Sequence, residues 1–148
     1  MNELEGICVP ICTPFTEGGA TVDENALCNH IDSMIEAGVH IICVNGGTGE
    51  FPFLSTTEKR NIIEISSKHI AGRCKIISHV SCVRTEDTIE AGKHAKDCGS
   101  DAIMVLPPYF EGPDVEGVIW HYDKVSQAVG LPIMAYNIPQ FSDFDITP

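Results

Sequence analysis

Basic residues are scarce in this chain. Nine lysines and arginines stand against 21 acidic residues, giving a formal net charge of −12 over 148 residues. Such a surface repels phosphates and argues against a nucleic-acid partner. It also means that an anionic small molecule needs local donors, because the global field works against it. No apolar run approaches the roughly 20 residues of a membrane span. The opening residues Met1-Asn2-Glu3-Leu4-Glu5 lack a basic stretch leading into an apolar one, so neither a secretory signal nor a membrane partner is expected. No CxxC spacing joins the seven cysteines, Cys8, Cys12, Cys28, Cys43, Cys74, Cys82 and Cys98, and their number is odd. They read as free thiols of a reducing, cytoplasmic compartment. The six histidines form no HxH or HExxH pair. They are expected to be surface or satisfied groups, and no metal site is expected. GxGxxG is missing after the first strand, which weakens a dinucleotide fold, and no cofactor is expected.

What is present is organised around residues 41–51, IICVNGGTGEF. Ile41-Ile42-Cys43-Val44 reads as a strand buried on both faces. The turn that follows has glycines that allow close backbone approach to a ligand. Successive N–H groups there, at Gly47 and Thr48, can converge on a small carboxylate, with the Thr48 hydroxyl as a further donor. The alternative is a strand–turn–helix corner and nothing more.

The rest repeats one rhythm of strand, loop, helix and glycine. Residues 6–15 form a first strand ending near Thr13. Asp23 caps a helix closed by Gly38. Ser55-Thr56-Thr57-Glu58 is a capping box for a second helix, closed by Gly72. Residues 75–81 make a third strand, and Thr85 caps a third helix. Residues 101–106 make a fourth strand. Asp114 begins a fourth helix, with Val118, Ile119, Tyr122 and Val125 as its apolar side, closed by Gly130. Residues 131–136 make a fifth strand, and residues 140–148 are loop-like. Short, apolar, β-branched strands alternating with helices indicate an α/β fold with a parallel sheet. A doubly wound open sheet and part of a (β/α)8 barrel both fit. Thr13, Thr48, Tyr109 and Tyr136 fall just after strands 1, 2, 4 and 5, at the rim where barrel sites gather.

PICTPF, NGGTGEF, LPPYF and YNIP, in this order at these strand ends, resemble the dihydrodipicolinate synthase / N-acetylneuraminate lyase family. The resemblance implies a partial (β/α)8 TIM barrel, strands 1–5 with four intervening helices, with residues 1–148 as the N-terminal portion of a single barrel domain. It implies a lyase that makes, breaks or dehydrates 2-keto acids through a lysine Schiff base. The partner would be pyruvate or a sugar-acid-derived keto acid, and a homo-oligomer is expected. Carried over by position, Gly47 and Thr48 bind the keto acid's carboxylate, Tyr109 lines the mouth, and Tyr136 handles protons near the Schiff base. Asn137 is expected to fix its loop and Glu50 to cap its turn. Two positions depart from the family pattern. Gly47 stands where many members carry a hydroxyl, and Phe110 stands where some carry a second tyrosine. Both favour the sugar-acid branches over a strict dihydrodipicolinate synthase.

The family's Schiff-base lysine lies on a sixth strand. Here Lys59, Lys68, Lys93, Lys96 and Lys124 fall on expected helices, and Lys75 begins strand 3, at the wrong end. A complete barrel needs roughly 250 residues. The expectation is therefore the first part of a longer lyase, inactive alone, with strands 1 and 5 as open edges. The alternative is a non-catalytic α/β module that binds a small carboxylate or a partner chain. Treating the chain with pyruvate and borohydride should leave its intact mass unchanged. A pyruvate adduct on any of the six lysines would refute that expectation.

Overall fold

The structure, a computed structural model, describes residues 4–110 and 112–147. Five strands alternate with helices: β1 Cys8–Pro10, α1 Glu24–Glu36, β2 Ile41–Val44, α2 Thr56–Ile70, β3 Lys75–His79, α3 Thr85–Asp97, β4 Ala102–Val105, α4 Val115–Val129 and β5 Ile133–Ala135. A single helical turn, α5 Pro139–Ser142, follows. Every ladder is parallel, and the sheet order is β1-β2-β3-β4-β5. A doubly wound sheet reverses its strand order at a switch point. This sheet never does, so the open-sheet alternative falls and the barrel progression stands.

Period-two alternation sends successive side chains to opposite faces. Ile42, Val44, Ile76, Ile103 and Val105 face the helices and pack with Leu27, Ile31, Ile62, Ile70, Val125 and Val129. Ile41, Cys43, Ile77, Ala102 and Met104 form a second cluster on the other face, joined by Cys8 and Tyr136. Among the described residues no helix is long and apolar enough to cross a membrane.

Most local signals act as the sequence suggests. Asp23 accepts the Ala26 N–H at 2.9 Å, and Asp114 accepts that of Gly117 at 2.7 Å. Ser55 and Glu58 close a reciprocal capping box. Four expectations need correction. Thr85 does not cap α3, because its hydroxyl meets His121 Nδ1 on α4 at 2.9 Å and Arg84 takes the cap position. Ile119 lies on the outer face of α4, 63% exposed, while His121 occupies the buried stripe between Val118 and Val125. Two successive left-handed residues close α2, Ala71 (φ 48) first and then Gly72 (φ 77). Residues 139–142 coil once instead of running as a loop.

Helices α3 and α4 pack tightly where Gly92 meets Val129. A Cβ at Gly92 would sit 2.8 Å from Val129 Cγ2, and Val129 is fully enclosed. Gly92→Ala should gain about 1 kcal/mol of helix propensity and lose about 1–3 kcal/mol to overpacking. A lower midpoint in urea or heat is the expected result. An unchanged or raised midpoint would show that Val129 can step aside.

Candidate functional site

The turn after β2 is irregular, and its shape follows from which backbone groups it consumes. Gly49 N–H donates to the Gly46 carbonyl at 3.0 Å, Glu50 N–H to that of Gly47 at 3.0 Å, and Phe51 N–H to that of Gly46 at 3.3 Å. Among the described residues no acceptor takes the N–H groups of Gly47 and Thr48. Both residues are exposed. Two adjacent unclaimed N–H groups on a tight turn are what an oxyanion requires.

The flanks of the turn are held from outside. The Thr13 hydroxyl, buried just after β1, donates to the Gly49 carbonyl at 2.8 Å. A Cβ at Gly49 would lie 3.1 Å from the Ile11 carbonyl oxygen, so glycine is what lets the two loops approach. Asn45 is buried with φ 57. Its Nδ2 donates to the Lys59 carbonyl at 2.9 Å, and its own carbonyl is 2.9 Å from His79 Nδ1. A left-handed non-glycine residue costs about 1–2 kcal/mol. Two hydrogen bonds at about 1 kcal/mol each offset that.

Tyr136 follows β5 directly, its N–H bonded to the Val105 carbonyl at 2.8 Å. Its ring lies on the inner cluster, and its hydroxyl is 3.9 Å from where a Gly47 Cβ would stand. Gly47, Thr48 and the Tyr136 phenol thus share the carboxyl-end rim of the sheet. Tyr109 is joined to them by a run of edge-to-face rings. It lies edge-on to Phe51 (centroids 6.5 Å apart), Phe51 to His79 (4.1 Å), and His79 to Tyr136 (6.0 Å). Burial raises the Tyr109 phenol above its ordinary pKa. Phe110 is 74% exposed.

Glu50 caps nothing with its side chain, because its backbone sits in the left-handed region and the carboxylate is exposed. Asn137 fixes its loop as expected, bonding Asp145 Oδ1 at 2.9 Å and both backbone groups of Ile146. His79 is a satisfied histidine. His121 is not: its Nε2 is buried without a partner. Lys59 faces a cavity of about 380 Å³ between the starts of α2 and α3, with His79, Ser81, Cys82, Asp87 and His94 on its walls. None of Gly47, Thr48, Tyr109 and Tyr136 lines it. Burial lowers the Lys59 pKa, and its ammonium sits 5.2 Å over the Phe51 ring.

Sequence reasoning passed over the bracing role of Asn45, His79 and Ser81. The usable signal was two consecutive polar residues, Ser78-His79, at the buried end of β3 after Ile76 and Ile77.

Strand order and helix alternation together define a segment of a (β/α)8 barrel. A profile of the Dihydrodipicolinate synthetase family matches residues 3–148, and the chain belongs to that family. It is 36% identical over 143 residues to the 4-hydroxy-tetrahydrodipicolinate synthase of Bartonella bacilliformis, covering 97% of this chain and 48% of that protein. The crystal structure of dihydrodipicolinate synthase from Aquifex aeolicus superposes with a TM-score of 0.91 at 37% identity, over 96% of this chain and 48% of that one. A chloride-inhibited dihydrodipicolinate synthase from Acinetobacter baumannii, complexed with pyruvate, superposes with a TM-score of 0.92 at 34% identity, over 97% and 49%. The chain thus spans about half the length of the relatives it matches, and its five strands correspond to the N-terminal half of their barrel.

Burial holds the His79 pKa down to about 4. The unfolded chain takes up this proton near pH 6.5 and the folded chain does not, so the unfolded state binds more protons in between. Stability should therefore fall as pH drops from about 6.5 to about 4, by up to about 1.4 kcal/mol per pH unit. Denaturant midpoints measured across that range check this; His79→Asn should flatten the slope.

Proposed function

We propose that this chain carries the keto-acid-binding rim of a Schiff-base lyase, as the N-terminal portion of a single barrel domain. The observation that supports it is the pair of unclaimed N–H groups at Gly47 and Thr48 beside the Tyr136 hydroxyl. A 2-keto acid such as pyruvate would place its carboxylate on the two N–H groups and the Thr48 hydroxyl. Its carbonyl carbon then points over the sheet end toward Tyr136. There the phenol can pass a proton to and from the carbinolamine oxygen while a lysine amine adds and water leaves. In this reading the amine comes from a sixth strand. The substrate's orientation is set by fixed backbone dipoles, which need no reorganisation during reaction.

The second substrate follows from what Gly47 leaves open. With no side chain there, the space against the Tyr136 hydroxyl is free for a hydroxyl of a longer keto acid. That favours a sugar-acid-type partner over the synthase reaction for which the relatives are named.

Adding pyruvate to the ¹⁵N-labelled chain should shift the Gly47 and Thr48 amides first. Thr48→Val should weaken binding by about tenfold, the worth of one hydrogen bond to a charged group. Saturable shifts confined to other residues would overturn the reading.

A further inference from the structure

His79 ends β3 and is 2% exposed, with both ring nitrogens engaged. Its partners assign the tautomer. Nδ1 lies 2.9 Å from the Asn45 carbonyl oxygen, and a carbonyl only accepts, so Nδ1 carries the proton. Nε2 is then an acceptor, and the Ser81 hydroxyl, 2.7 Å away, donates to it. The same Ser81 oxygen accepts the Leu106 N–H at 2.7 Å. One buried line of hydrogen bonds therefore runs from the end of β4, through Ser81 and His79, to the first residue of the turn after β2.

The far end of that line matters because a peptide unit is rigid. The Asn45 carbonyl and the Gly46 N–H share one plane and point in opposite directions. Holding the carbonyl sets the plane from which Gly47 and Thr48 continue. Neither has a backbone hydrogen bond of its own N–H to steady it. The same imidazole presents its ring to Tyr136, with centroids 6.0 Å apart. It touches the turn with its donor and the phenol with its ring.

We propose that His79 is a positioning residue: as a neutral imidazole protonated on Nδ1, it holds the Asn45 carbonyl and so aims the Gly47 and Thr48 N–H groups relative to Tyr136. Its effect on binding rests on the keto-acid reading above; the tie to the turn does not. Burial keeps the ring neutral well below pH 6, so the donor persists across the ordinary working range.

Two substitutions in the whole 148-residue chain separate this from space filling. In His79→Asn the amide nitrogen can stand where Nδ1 stood and still donate. His79→Phe keeps an aromatic ring against Phe51 and Tyr136 and donates nothing. If the donor is what counts, pyruvate affinity should fall by no more than about threefold in His79→Asn and by at least about tenfold in His79→Phe. Amide hydrogen exchange at Gly49 and Phe51, whose N–H groups the turn's own hydrogen bonds protect, should speed up in the same order. The reverse order, with His79→Phe close to the parent and His79→Asn impaired, overturns the proposal. If the parent chain binds no pyruvate, the keto-acid reading fails, and the exchange order alone supports or overturns the tie. A ring ¹⁵N spectrum of the parent chain needs no variant to fold. It should show a protonated Nδ1 and an unprotonated Nε2; the opposite tautomer overturns the proposal outright.

Discussion

The turn after β2 belongs to no ladder, and everything proposed for this protein depends on other elements holding it. Thr13 from the end of β1 takes one of its carbonyls. His79 from β3 takes another, and the backbone of α2 receives the Asn45 amide. These three ties pair two of the turn's carbonyls and the Asn45 amide nitrogen, and leave Asn45 Oδ1 buried without a partner. What they leave over is two N–H groups facing solvent at the rim. The site is thus a remainder: it consists of the donors that the fold does not use.

That remainder can exist because the two faces of the sheet carry different loads. The helix side is a deep core running from Leu27 and Ile31 through Ile62 and Ile70 to Val125 and Val129. The inner side is a thin cluster of Ile41, Cys43, Ile77, Ala102 and Met104. Burial pushes the Cys43 thiol up to about 12, so that sulfur acts as a small hydrophobe and not as a nucleophile. Most apolar burial, and so most stabilisation, lies on the side away from the proposed site. Groups on the inner face can then be chosen for reactivity, with a phenol at a strand end and a glycine where a side chain would crowd it.

Sequence patterns disclosed the elements because the signals for them are local. The Ser55–Glu58 box and the Asp23 and Asp114 caps act within four residues, and the left-handed glycines after α1 and α4 close the turns beside them. Thr85 misled for the opposite reason. Its partner His121 lies 36 positions away, and an inter-helix hydrogen bond outcompeted a cap that looked complete in one dimension. Ile119 misled by a single position: the buried stripe of α4 runs through Val118, His121 and Val125, and histidine is the member that hydropathy does not flag. At the site, Gly47, Thr48 and Tyr136 were legible as motif residues. His79 and Ser81 were not, because their role is set by which strand ends lie side by side, and that is settled only when β3 sits between β2 and β4.

The magnitudes favour orientation over strength at this rim. Two N–H groups and one hydroxyl contribute about 1.5–3 kcal/mol each toward a carboxylate. Association itself costs about 4–15 kcal/mol, and the chain's net charge of −12 works against any anion. Even at the favourable ends of both ranges, about 9 against about 4 kcal/mol, the contacts leave no more than about −5 kcal/mol, a sub-millimolar hold at best. A site so weak binds a small keto acid by contacts alone only in rapid exchange. In the proposed reading the amine supplies retention by converting the ketone into a covalent imine, and the rim has only to present the carbonyl carbon at the right angle long enough for that bond to form. Backbone donors suit that task because they keep their direction at every pH. This is also why the turn is braced by a neutral histidine and two uncharged side chains, and not by an ion pair that would change its geometry with salt or protonation.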